Sequence, residues 1–124
     1  MLLPGSLMAA PSRSKLSRRL LRVSRKVFSM PVFAVHYDYA ADSNEPRSQH
    51  RPAHRAFLDT LTGPVKALVT GPYVEEPAGA LLVIEAASAA EVERTLDDDP
   101  FYSEGLITRR SVREWIQVKG PWAG

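Results

Sequence analysis

No cysteine occurs anywhere in the 124 residues, which excludes disulfide bridges, thiolate metal sites and cysteine nucleophiles. That absence fits a reducing compartment. No apolar run approaches the roughly 20 residues needed to cross a bilayer, so the chain reads as a soluble, cytoplasmic protein without a membrane partner. A glycine-rich phosphate loop, an HExxH pair and a serine set in a nucleophile elbow are all missing too. Neither a cofactor nor a metal is therefore expected, and the chemistry left to the chain is that of its own acids and bases.

Acidic residues are absent from the first 29 positions, which carry seven unpaired cations: Arg13, Lys15, Arg18, Arg19, Arg22, Arg25 and Lys26. Three readings of this segment stand side by side. It has the composition of a mitochondrial-type presequence, or of a basic tail for anionic surfaces. Alternatively the natural start is Met30, whose Met-Pro leads straight into a strand, and segment 1–29 is no part of the mature protein. The domain proper is then 30–124. It holds the other nine Lys/Arg and all fourteen Asp/Glu, a net charge of −5 hidden inside the whole-chain value of +2. Such a surface repels phosphate backbones, so no nucleic-acid partner is expected.

Segment 32–39 (VFAVHYDY) is rich in β-branched and aromatic residues and reads as a strand. Alternation places Val32, Ala34, His36 and Asp38 on one face and Phe33, Val35, Tyr37 and Tyr39 on the other. After a polar loop over 40–50, with room for one helical turn, Pro52 suits the first turn of a helix. Ala53, Phe57 and Leu61, with Leu58 beside them, form its apolar stripe, and Gly63-Pro64 stops it. Strands follow at 65–71 and 80–86. Ser88-Ala-Ala-Glu91 is a capping box opening a second helix with Ala89, Val92 and Leu96 inward, which ends before Pro100. Segment 101–105 is a turn, and 111–118 the last strand. The order is β-α-β-β-α-β, an α+β domain. Leu81, Leu82, Val83 and Ile84 are consecutive, so this strand is apolar on both faces. Two helices cover one face only; the other calls for a second copy, and a homodimer is expected.

Two features carry chemistry. His54 sits in the first turn of the helix that Pro52 opens; taken alone, it reads first as a partly buried structural histidine and only second as a functional one. Asp97-Asp98-Asp99-Pro100 puts three carboxylates at the negative end of a helix, each opposed by about 0.3–1 kcal/mol. Such local conflicts gather at functional sites, although Asp before Pro also simply starts a turn. Both helices pack on one sheet face, so the start of the first can meet the end of the second. A carboxylate bound to one ring nitrogen leaves the other free as a base. Arg47 and Arg51 are candidates for holding an anionic substrate or are a solvated face. His36 lines the same cavity or points outward. His50 and His54 are four apart, yet no third ligand accompanies them.

Arg51-Pro52-Ala53-His54, Thr70-Gly71-Pro72, Asp98-Asp99-Pro100-Phe101 and Gly105-Leu106, ending near Trp115, together resemble the YciI-like family of YCII-related domains. The resemblance implies a ferredoxin-like fold paired into a dimeric α+β barrel. It implies His54 and Asp99 as the catalytic pair, with Arg51, His36, Gly71, Pro72 and Phe101 toward a small-molecule ligand. One activity known in the family is dehydrochlorination of a chlorinated hydroxyhydroquinone, so the implied reaction is elimination or isomerisation on a small, hydroxylated aromatic substrate. The alternative is a dimeric module that binds a small ligand without turnover; a third reading is a purely structural subunit.

Overall fold

The computed structural model describes residues 30–123; the basic segment 1–29 and the three readings of it lie outside the described residues. The elements are β1 (Val32–Tyr39), α1 (Asn44–Asp59), β2 (Lys66–Pro72), β3 (Gly79–Glu85), α2 (Ala89–Leu96), the single turn α3 (Pro100–Ser103) and β4 (Ile107–Glu114). The strands form one sheet in the order β2-β3-β1-β4, with every pairing antiparallel. This small α+β domain is consistent with a ferredoxin-like fold.

Register explains the layering. Phe33, Val35 and Tyr37 of β1 stand opposite Ile84, Leu82 and Ala80 of β3, and all six are buried together with Leu58 of α1, Leu61 just past it, and Val92 and Leu96 of α2. Both helices therefore cover the same sheet face. Gly79 is required by a close approach, since a Cβ there would meet the Tyr37 carbonyl oxygen. The capping box forms in part: the Ser88 hydroxyl accepts the Glu91 N–H at 3.2 Å, while the Glu91 carboxylate takes the Ala87 N–H at 3.3 Å.

Three expectations need correction. Helix α1 begins at Asn44 and not at Pro52, so the segment expected as a loop supplies its first two turns. Pro46 occupies the first turn, where a missing N–H is no loss, and Pro52 lies inside at the expense of the bond to the Ser48 carbonyl. His54 is consequently far from the helix N-terminus. The buried face of α1 is Arg47, His54 and Leu58, while Ala53 is exposed. Strand β4 starts at Ile107 rather than at 111, and Ile116 and Val118 beyond it are exposed. In the C-terminal tail, described by itself, the Gln117 side chain accepts the Trp122 N–H at 2.7 Å.

Leu81 and Val83 face away from the helices as their register requires. Val83 is only 3% exposed within the single chain, whereas its β2 neighbour Val69 is 48% exposed. The apolar second face is thus unevenly exposed, buried at Val83 and open at Val69.

Candidate active site

The local sequence explains why Asp99 is where it is. Pro100 forces the preceding residue into extended backbone, φ −63° and ψ 125°, which ends the α2 segment. Asp99 then caps α3: its Oδ1 accepts the Phe101 N–H at 2.9 Å, with Pro100 in the first turn. Read as the end of one helix the carboxylate is misplaced; as the start of the next it sits at the favourable end of a dipole. Its neighbour Asp97 is held by Arg110 of β4 at 2.8 Å, so two members of the acidic triplet have a defined partner.

Asp99 is 0% exposed. A buried carboxylate needs donors, and it has three. Besides Phe101, the Tyr37 hydroxyl donates to Oδ2 at 2.8 Å, and His54 Nδ1 lies 2.8 Å from Oδ1. A carboxylate only accepts, so Nδ1 carries the proton, and in the neutral form of the ring Nε2 keeps a free lone pair. No hydrogen bond to Nε2 is made among the described residues. The imidazole is fixed from the side as well, stacked on Phe101 at 4.0 Å between centroids with an interplanar angle of 0°. Phe101 meets Tyr39 edge-on at 5.7 Å, and the Arg47 guanidinium lies 4.3 Å above the Tyr39 ring. Arg47 is anchored in turn by Ser43 and Asn44, at 2.9 and 2.6 Å.

His54 opens on a cavity of about 140 Å³, close to the size that holds one benzene-sized ring. Its floor is Leu58, Ala80, Leu82 and Phe101, one wall is the β2 edge at Thr70, Gly71 and Pro72, and the other is α1 with Arg47, Arg51 and Arg55. The structure therefore brings His54, Asp99, Arg51, Gly71, Pro72 and Phe101 to one place. His36 is elsewhere. It lies on the opposite sheet face, where its Nδ1 is 2.7 Å from the Tyr73 hydroxyl, beside a second hollow of about 380 Å³ walled by Ala34, Leu81, Val83 and Trp115. Of the two placements open for it, the outward one is observed. His50 points to Glu104 at 3.9 Å and His54 to Asp99. Among the described residues no three His, Cys, Asp or Glu side chains are grouped to hold a metal.

Tyr37 and Tyr39 are site residues that the sequence reading placed on the core face and nothing more. A signal was present, because a tyrosine in an otherwise apolar core stripe must find a partner for its hydroxyl. Burial, then the Asp99 charge and the hydrogen bond to it, hold the Tyr37 phenol far above its ordinary range. Burial raises Tyr39 too, opposed by Arg47. The sign of the consequence follows from proton counts. Above about pH 10 the unfolded chain loses the Tyr37 proton that the folded chain retains, so stability falls as pH rises, by about 1.4 kcal/mol per pH unit for that group. Tyr37→Phe is expected to be less stable at neutral pH by about 1.5–3 kcal/mol, for the lost bond to a buried charge. Its alkaline decline should also be shallower by one group. Urea denaturation midpoints followed from neutral into alkaline pH check both, and an unchanged alkaline slope would refute the assignment.

The profile of the family described as YCII-related domain matches residues 30–116. Among solved structures, the chain is similar to 5-chloro-2-hydroxyhydroquinone dehydrochlorinase from Burkholderia phenoliruptrix AC1100, in complex with 2,5-dihydroxybenzoquinone. The two share 28% identity with a TM-score of 0.61, over 68% of this chain and 92% of that one. No curated protein matches.

Proposed function

The chain belongs to the family of YCII-related domains, and on that premise we propose that it is an acid/base enzyme for small molecules in which His54 moves the proton and Asp99 orients it. One observation carries the reading: Nδ1 is 2.8 Å from a fully buried carboxylate while the ring borders a cavity of ring-like size. Nε2 is then the base, and the imidazolium formed on proton uptake is stabilised by Asp99.

The reaction class is elimination or isomerisation on a hydroxylated ring. In a hydrogen halide elimination the base takes a hydroxyl proton and returns a proton to the carbon bearing the halogen. Halide then leaves with the C–X bonding pair as a second O–H proton departs. The ring ends as a quinone and no outside oxidant enters. The likeness to a dehydrochlorinase supports this class. Two assays test it. One is halide release from a chlorinated hydroxyhydroquinone; the other is exchange of the ring C–H of 2,5-dihydroxybenzoquinone with deuterated solvent, followed by proton NMR. Exchange accelerated over buffer is the expected result. Binding of the quinone with neither exchange nor halide release would leave a binding module and end the enzyme reading.

We infer in addition that two copies pair through their open sheet faces, because Val69 and Leu81 leave apolar surface there that one chain does not cover. Light scattering on a sizing column should give twice the chain mass at micromolar concentration, and Leu81→Lys should lower it to one chain. A monomeric wild type would exclude the pairing.

A further inference from the structure

The cavity beside His54 has a charge of one sign. Arg47, Arg51 and Arg55 recur every fourth residue along α1 and all line it, and no aspartate or glutamate does. In a domain of net charge −5, a third of its nine Lys/Arg stand on this one wall. Unpaired like charges at that spacing oppose one another on a helix, so the arrangement is unfavourable until something negative arrives. Arg47 is already engaged, through Ser43, Asn44 and the Tyr39 ring. The other two are not. Arg51 donates only to the Ser48 hydroxyl, at 3.2 Å, and Arg55 has no ion-pair or hydrogen-bond partner among the described residues. Neither appears in any of the domain's ion pairs, which are made by His50, His54 and Arg110.

We propose that the site takes a small planar oxyanion, a carboxylate or an acidic enolate or phenolate, whose negative oxygen is bound by Arg51 and Arg55 while its reacting end lies against His54. Guanidinium donors present a planar fork that matches such an oxygen pair. Leu58, Leu82 and Phe101 provide the apolar surface for the ring. The division of labour is physical: α1 supplies both the anchor and the base, with Arg51 one turn before His54 and Arg55 directly after it, so a ring held at one edge by these arginines is presented to Nε2 at the other. This inference rests on the acid/base reading of His54 for the second half of its statement only; the anion anchor stands or falls by binding.

The test uses two rings of nearly one shape. 2,5-Dihydroxybenzoquinone is an anion in neutral water, and its dimethyl ether, 2,5-dimethoxybenzoquinone, is neutral. Benzoate serves as a second anion. Calorimetry on the full chain should show the dihydroxyquinone binding at least tenfold tighter than the ether, and weakening as salt is raised. Arg51→Gln and Arg55→Gln should each weaken the anion about 10- to 100-fold and leave the ether within a factor of two or three. Arg55 is exposed and Arg51 half-buried, so both variants should fold, and circular dichroism checks that they do. Equal affinity for anion and ether overturns the proposal. So does wild-type affinity in both arginine variants, or failure of both anions to bind at millimolar concentration. His54→Asn separates the two readings: anion binding kept with proton exchange lost supports both. Binding kept in the wild type with no exchange there refutes the enzyme reading and leaves the anchor intact.

Discussion

Replacing His54 by asparagine should yield a folded protein without turnover. The asparagine amide nitrogen stands about where Nδ1 stands, one bond beyond Cγ, and can donate to Asp99 Oδ1 as the imidazole does at 2.8 Å. Asp99 keeps the donors Tyr37 and Phe101 in any case. The buried carboxylate is therefore never orphaned, and the stability change should stay near 1 kcal/mol, well below the cost of breaking a buried ion pair outright. What asparagine lacks is a basic nitrogen at Nε2. A positioned general base contributes about 10²- to 10⁴-fold to a rate, and deuterium exchange into the quinone ring should slow by that factor. Alanine at the same site is the less telling variant, since it also removes the ring stacked on Phe101. Free imidazole added to His54→Ala should restore part of the exchange by entering the vacated space. Exchange within tenfold of wild type in the asparagine variant would eliminate His54 as the base.

The legible and illegible parts of this chain differ for physical reasons. Strands β1 and β3 declare themselves because their core faces are filled by apolar residues at period two, Phe33, Val35 and Tyr37 against Ile84, Leu82 and Ala80. Strand β4 hides because Arg110 is directly opposite Tyr37, on the core side. There the guanidinium is paired with Glu93 and Asp97 and lies 4.2 Å over the Tyr102 ring, so a charge occupies a position where the alternation calls for an apolar residue. The sequence pattern starts helix α1 eight residues late, because two prolines compete for the role of opening it. Ser43 and Pro46 give the true start, but the Ser43 hydroxyl does no capping; it donates to the Ala40 carbonyl at 2.6 Å and accepts from Arg47. A buried arginine on the inner face then breaks the apolar stripe, and Ala53, which the pattern placed inside, is turned out. The meeting of His54 with Asp99 was legible from the two motifs, but the topological ground for it was not, since His54 lies well inside α1 and Asp99 opens α3 rather than closing α2. Its reason was not, because α3 is one turn long and leaves no periodicity to find. Tyr37 as the third arm of the carboxylate could be inferred only once the carboxylate was known to be buried.

Asp99→Asn should be the more informative of the two variants, because the three donors dictate how the amide sits. The Phe101 N–H is a backbone donor with no alternative, and it meets the same oxygen as His54 does, Oδ1, at 2.9 and 2.8 Å. The amide oxygen must therefore take that position, and the NH2 group must face Tyr37, 2.8 Å away. A hydroxyl can turn and accept. The Tyr37 O–H proton and the second amide N–H are then left without an acceptor, at a cost of about 1–3 kcal/mol; with that cost the variant should still fold, and the Nδ1–H tautomer of His54 should persist with Nε2 still free. Only the negative charge is gone. A carboxylate in direct contact is worth about 1.4–4 kcal/mol to a neighbouring cation, so proton transfer through an imidazolium should slow about 10- to 1,000-fold. That is less than the roughly 10⁴-fold lost where an amide reverses the tautomer of a catalytic histidine. Nitrogen-15 shifts of the imidazole report the tautomer directly, independent of any substrate. Adding Tyr37→Phe removes the acceptor for the NH2 group, and the double variant should lose about 1–3 kcal/mol more than Asp99→Asn alone. An Nε2–H tautomer in Asp99→Asn would show that the amide sits the other way round and that Phe101 does not set its orientation. Turnover unchanged by the substitution would mean that the charge of Asp99 has no part in stabilising the imidazolium.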